Sequence, residues 1–123
     1  MKKHDAFREK LKIKLLEAKD GYAKMSLIMT ADLTNAVGLA HGGAIFTLAD
    51  CAFAEAANSG DQVALAVQVD INFLRPAFEG DILVAEAVRI SEGKTFVLYH
   101  VTVNKEEKLV AFFSGLAYKK NPQ

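Results

Sequence analysis

Asp50 of the 123-residue chain stands in an apolar setting. Asp50 is flanked by Leu48, Ala49, Cys51 and Ala52. An ionised carboxylate among such neighbours carries a desolvation cost unless a partner compensates. Two readings follow. Either Asp50 is a structural group bonded to a loop backbone or to Arg75, or it is an acid/base or nucleophilic group tuned by its surroundings. Just upstream stands His41-Gly42-Gly43, at the head of an apolar run. The first turn of a helix has free backbone N–H groups and partial positive charge. Glycine there lets a ligand approach the backbone, where an N–H can polarise a carbonyl oxygen. The plain alternative is a loop-to-helix turn with glycines for geometry.

Spacing connects the two features. Asp50 is eight residues after Gly42, about 12 Å along a helix. Within one chain, Asp50 cannot act on a carbonyl held at the N-terminus of its own helix. Two antiparallel helices across a two-fold axis would place Asp50 of one chain at the Gly42 turn of the other. If both residues serve one site, the spacing predicts at least a dimer with two composite sites.

Other reactive side chains fit less well. Cys51 points about 100° away from Asp50 on a helix and reads as a core residue. His4, His41 and His100 lack the spacing of a zinc site, and the single Cys excludes an intrachain disulfide framework. The His-Gly-Gly turn lacks the Gly-Lys-Ser/Thr of a phosphate loop. His100 reads as a packed or interface residue. Gln68, Asp70 and Asn72 share one face of a strand, as solvent-exposed groups or an interface.

These residues need elements to position them. Residues 44–58 contain no Gly or Pro and are apolar nearly all round, which predicts a buried helix. Asn58-Ser59-Gly60 supplies its stop. Residues 31–43 read as a loop. Ala23, Met25, Leu27 and Met29 alternate as in a strand, and Asp20-Gly21 joins that strand to residues 13–18 in a hairpin. Val63, Leu65, Val67, Val69, Ile71 and Phe73 alternate along a third strand. Residues 82–90, 95–103 and 109–118 follow with turns between them, as an antiparallel meander. Residues 1–12 form a basic arm or short helix, with Phe7 and Leu11 on one stripe.

An all-apolar helix must be enclosed, so the expected architecture is α+β: a five- to six-stranded antiparallel sheet curled round one long helix. The whole of residues 1–123 reads as a single domain. Lys and Arg total 15, as do Asp and Glu, and this balance argues against a nucleic-acid-binding role. Apolar stretches fall well short of the roughly 20 residues that span a bilayer, and no apolar signal core opens the chain. A cytoplasmic location is the expectation.

The string filled by Asn35, Gly38, His41, Gly42, Gly43, Phe46, Leu48, Ala49 and Asp50 closely resembles that of hot-dog-fold acyl-CoA thioesterases, nearest to the phenylacetic-acid-degradation (PaaI) type. Asn72-Phe73-Leu74-Arg75-Pro76-Ala77 and Gly80-Asp81 resemble a second segment of that family. The resemblance spans about residues 15–119. It implies a long helix wrapped by an antiparallel sheet, a homodimer and often a dimer of dimers. It implies hydrolysis of an acyl-CoA, aryl or medium-chain, without a metal or separate cofactor. Asp50 would be the catalytic carboxylate, Gly42 the donor to the thioester oxygen, His41 a positioning group, and Asn35 a hydrogen-bonding partner of water, carbonyl or carboxylate. Gly43, Phe53, Arg75 and Lys94 are substrate-binding candidates, with Glu55 beside Phe53 as a pocket residue. The alternatives are a hydratase or dehydratase on acyl thioesters, and a non-catalytic acyl-CoA binding module.

Overall fold

The structure, a computed structural model, describes residues 5–60 and 63–120. The basic run at residues 1–4, with His4, and the C-terminal residues 121–123 lie outside them. A short helix α1 (Ala6–Lys10) leads into strands β1 (Lys14–Lys19) and β2 (Tyr22–Ile28). The long helix α2 (Gly42–Ala57) follows. Strands β3 (Val63–Phe73), β4 (Ile82–Glu92), β5 (Phe96–Lys105) and β6 (Lys108–Lys120) complete the chain. All six strands form one sheet in the order β1-β2-β4-β5-β6-β3, with every neighbouring pair antiparallel. This is the wrapped-helix layout that the resemblance implies.

The β1–β2 hairpin closes with Lys19 opposite Tyr22, so Asp20-Gly21 is its two-residue turn. Gly21 has φ +70, a conformation that glycine adopts without steric cost. Along β2, Ala23, Met25 and Leu27 face inward, and Met29 just beyond the strand is also buried. They pack with Leu83, Ala85 and Ala87 of β4 and with Leu48, Ala49 and Ala52 of α2. Small residues on α2 let helix and sheet approach closely, as dense interior packing requires.

Three expectations are corrected. Helix α2 begins at Gly42, two residues earlier than predicted, because the His41 side chain caps it. Nor is α2 buried all round. The sheet covers one side, while Gly43 and Ala54 are exposed and Thr47 and Asp50 half-buried. These four recur at spacings of four and three, one face of a 3.6-residue helix. A single sheet layer cannot enclose the other side of a helix. Finally, β3 does not alternate in one phase. Its register with β6 shifts between Ala66 and Gln68, leaving Val67 as an extra residue. Ala64 is buried before this bulge, whereas Val69 and Ile71 pack on the core after it. One inserted residue changes which parity faces inward.

Candidate active site

The turn that opens α2 is organised by His41. Its Nδ1 accepts a hydrogen bond from the Gly43 N–H at 2.8 Å, and its own backbone N–H donates to the Leu33 carbonyl at 2.8 Å. Acceptance at Nδ1 places the neutral ring's hydrogen on Nε2. The cap thus consumes the Gly43 donor. The Gly42 N–H, at the first helical position, has no acceptor among the described residues.

Asn35 shapes the loop before this turn. Its Oδ1 accepts from the backbone N–H groups of Val37 and Leu39, both at 3.0 Å, and its own N–H donates to the Leu39 carbonyl at 2.7 Å. Both oxygen lone pairs are engaged, so the side-chain NH2 is the group left for a ligand. Asn35 and Gly42 line a cleft of about 320 Å³ together with Leu39, Phe73 and Arg75. The Arg75 guanidinium donates to the Leu109 carbonyl at 2.8 Å, while the Leu74 and Arg75 N–H groups donate to the Val110 carbonyl. Arg75 therefore ties its loop to β6 and still borders the cleft.

Phe73 was not singled out from the sequence. A Cβ placed on Gly42 would lie 3.4 Å from its ring, so this ring forms the wall opposite the turn. Its signal was available: Phe73 immediately precedes the Leu74-Arg75-Pro76-Ala77 segment and continues the inward parity of Val69 and Ile71.

Asp50 lies two turns along α2, half-buried, with no hydrogen bond or ion pair among the described residues. Arg75 is bonded to the Leu109 carbonyl instead, and no loop N–H among the described residues donates to the Asp50 carboxylate. Burial raises its pKa above the ordinary Asp value, and the negative charge of Asp5 adds to the rise. The neighbouring Cys51 thiol is pushed up to about 12, first by burial and then by Asp5 and Asp50. It is a protonated thiol at neutral pH and a poor nucleophile.

A second cleft, of about 200 Å³, lies on the other side of the His41 turn. Phe7 and Leu11 line it from the arm, with His41, Gly43 and Thr47 from α2. His41 and Gly43 thus face a different cleft from Asn35, Gly42 and Arg75.

Asp50 itself lines neither cleft, and three further candidates also fall away from both. Phe53 is 2% exposed and packs against Tyr99 and Phe113. Its ring lies so close over Gly115 that a Cβ there would come within 2.8 Å. Phe53 is a core residue of this protomer, because the face of α2 that carries it is the one the sheet covers. Glu55 is likewise buried, in an ion pair with Arg8 at 3.3 Å, rather than set in a pocket. Lys94 is exposed on the β4–β5 turn. That turn is tied to β6 by Lys119 and sits towards the C-terminal end of α2, away from Gly42. Among the described residues, no group of three or more His, Cys, Asp or Glu is placed to hold a metal ion. No helix among them is long and apolar enough to cross a membrane.

Comparison with known proteins gives a consistent result. Residues 37–112 match the thioesterase superfamily. The chain is 42% identical to a putative esterase of Archaeoglobus fulgidus, over 98% of this chain and 79% of that protein. It is 38% identical to acyl-coenzyme A thioesterase PaaI of Escherichia coli, over 97% of this chain and 86% of that one. The crystal structure of the TT0310 protein of Thermus thermophilus superposes with a TM-score of 0.93 at 36% identity, covering 96% of this chain and all of the other.

Proposed function

The chain belongs to the thioesterase superfamily, a hot-dog fold of the PaaI type, and from that premise we propose that it hydrolyses an aryl or medium-chain acyl-CoA to the free acid and CoA. One observation carries the reading. A half-buried Asp50 without a hydrogen-bond or ion-pair partner among the described residues shares a helix with a turn whose Gly42 N–H, likewise unbonded among them, borders a cleft. CoA is part of the substrate, and no separate cofactor is invoked.

The chemistry follows from these groups. The thioester oxygen accepts from the Gly42 N–H, which grows stronger as negative charge develops on that oxygen. Ionised Asp50 removes a proton from water as the water oxygen bonds to the carbonyl carbon. The tetrahedral oxyanion then collapses, the C–S bond breaks, and the CoA sulfur takes up the proton from Asp50. In the alternative route an Asp50 oxygen bonds to the carbonyl carbon, the C–S bond breaks and CoA leaves as the thiolate; water then cleaves the mixed anhydride to the free acid and the Asp50 carboxyl group, whose proton passes to the CoA sulfur. Both routes begin from the ionised carboxylate. Asn35 donates from its side-chain NH2 to the carbonyl or the water oxygen. His41 and Gly43 hold the turn in shape, and Arg75 borders the cleft where the CoA portion enters. Exposed Lys94 would meet substrate only from another protomer, whereas Phe53 stays in the core.

Asp50 and Gly42 are about 12 Å apart along one rigid helix. The reading therefore includes a homodimer in which each Asp50 faces the partner's Gly42 turn. The open face of α2 and the unpaired edge of β3 support this arrangement. Exposed Leu15, Leu16, Ile82 and Ile90 on the sheet support a further association into a dimer of dimers. We place the enzyme in the cytoplasm, where acyl-CoA is available.

The test is thiol release from a panel of aromatic and aliphatic acyl-CoAs, wild type beside Asp50→Asn. Turnover that disappears in a folded variant supports the reading. Binding of the same esters without thiol release would overturn it.

A further inference from the structure

Two clefts flank the turn that opens α2, and a thioester carbonyl has two substituents. The carbonyl carbon bears sulfur on one side and the acyl chain on the other. With its oxygen held at the Gly42 N–H, the two substituents point apart. The cleft that Gly42 lines is the larger, at about 320 Å³, and Arg75 borders it. The second, of about 200 Å³, begins one residue to either side of Gly42, at His41 and Gly43. It lies by the face of α2 that carries Gly43 and Thr47, which the sheet leaves open.

The walls of this second cleft are largely apolar. Phe7 and Leu11 come from the arm, Leu33 from the loop before the turn and Ala44 from the first turn of α2. Phe7 is 59% exposed, more than any other Phe among the described residues, and its ring is outside the core cluster. Folding leaves this ring uncovered, yet its position is fixed. A helix of five residues has little stability of its own, and α1 is held by contacts around Phe7. Leu11 packs on the core, and the Arg8 guanidinium pairs with buried Glu55 at 3.3 Å. Asp5 caps the helix by accepting from the Arg8 N–H at 3.1 Å. On the opposite wall the Thr47 hydroxyl donates to the Gly43 carbonyl at 2.8 Å, so its hydrogen is spent within the helix. The Asp32 carboxylate, exposed and hydrogen-bonded by the Thr30 hydroxyl, stands at the rim.

We propose that the cleft between the arm and the His41 turn receives the acyl group of a thioester held at Gly42, with Phe7 and Leu11 as specificity-determining residues and Asp32 as the group that turns away acyl chains bearing a second carboxylate. The proposal rests on the reading of Gly42 as the donor to the thioester oxygen. It narrows the substrate to a neutral acyl group of limited bulk. An apolar cavity of about 150 Å³ holds one benzene ring, so this cleft takes a single ring or a short chain and no long one. A substrate ring meets Phe7 edge-to-face or offset, the arrangements that aromatic pairs prefer. A terminal carboxylate on the acyl group would instead meet the charge of Asp32, and juxtaposed like charges reject a wrong partner. The CoA portion then lies in the Arg75 cleft, on the sulfur side of the carbonyl.

The experiment has two readouts. The first is kcat/KM for acetyl-, hexanoyl-, benzoyl- and succinyl-CoA with wild type, Phe7→Ala, Phe7→Lys and Asp32→Asn. Phe7→Ala should lower benzoyl- and hexanoyl-CoA relative to acetyl-CoA by about tenfold, the worth of a small apolar contact in a pocket. Phe7→Lys sets a cation across from Asp32, and it should raise succinyl-CoA relative to benzoyl-CoA, a gain that a damaged fold does not produce. Asp32→Asn should raise the same ratio. Wild-type ratios in both Phe7 variants would overturn the pocket. The second readout is NMR with phenacyl-CoA, a thioether whose methylene between sulfur and carbonyl prevents hydrolysis. Its ring protons should show contacts with the Phe7 ring, identified by their loss in Phe7→Leu. Binding without such contacts would overturn the proposal, and so would a failure of the analogue to bind. A wild type that binds the analogue but hydrolyses no acyl-CoA would count against the proposed function, while the ring contacts still decide the pocket.

Discussion

Ionising Asp50 puts charge on a half-buried group that has no compensating partner among the described residues. Its raised pKa makes the sign of the pH dependence definite. Below the unfolded pKa both states carry the protonated acid, and Asp50 contributes no difference. As pH rises from there through the higher folded pKa, the unfolded chain ionises more readily and the fold loses stability. Above the folded pKa the loss is complete and constant. Asp50→Asn removes it, so this variant should melt no lower than wild type at neutral pH. Its activity should fall by about 10²–10⁴-fold, the range for losing a positioned acid/base group. Calorimetry and thiol release check the two halves; a lower melting temperature would mean that Asp50 has a structural partner after all. The acid limb of kcat/KM should lie above the ordinary Asp range, which a pH series on wild type measures. At this scale the candidates were marked in the sequence by an apolar run that carries Asp50 and by two glycines before it, one of them Gly42. That His41 consumes the Gly43 donor was not legible, because it depends on which ring nitrogen faces the turn.

The elements were read with their order and type right and their faces partly wrong, for specific physical reasons. Helix α2 was expected to be wholly buried because its composition is apolar. Composition cannot show that a single sheet covers only one side, nor that small residues such as Gly43 and Ala54 occupy the other. Strand β3 was expected to alternate throughout, because Val67 is as β-branched and apolar as its neighbours. Nothing in its type marks it as the inserted residue that changes the inward parity between Ala64 and Val69. Phe53 was read as a pocket residue one turn beyond Asp50, yet its side chain is buried against Tyr99 and Phe113 under the sheet. Its ring lies over Gly115 of β6, and that close approach gives a direct prediction. Gly115→Ala puts a methyl group where the Phe53 ring now sits, and it should cost about 1–3 kcal/mol by overpacking. Chemical denaturation measures this. Phe53→Leu should relieve the clash, so the double variant should be less destabilised than the sum of the two changes. Strict additivity would show that the ring and Gly115 do not share one space.

At the scale of the whole molecule, the six-stranded sheet leaves β3 as an outer strand of eleven residues with Val63, Leu65 and Val67 exposed. A long apolar edge of this kind needs a partner or an explicit guard against pairing. On the shared-site reading, the second protomer covers the edge and completes the catalytic geometry. Two inactive chains should then rescue one another. Heterodimers of Asp50→Asn with a Gly42 variant bearing a bulky side chain retain one intact site, built from the good Asp50 of one chain and the good Gly42 of the other. Activity in tagged, verified heterodimers should approach half that of wild type, the arithmetic of one site in two. Heterodimers as inactive as either parent would place both groups in the same protomer's site. The sixteen-residue length of α2 has one more consequence. On the shared-site reading it holds the Gly42 N–H and the Asp50 carboxylate too far apart for either chain to react alone, which makes the free chain a precursor rather than a slow enzyme. Catalytic capacity then follows the law of mass action: on dilution below the dissociation constant of the pair, the concentration of working sites falls with the square of the chain concentration.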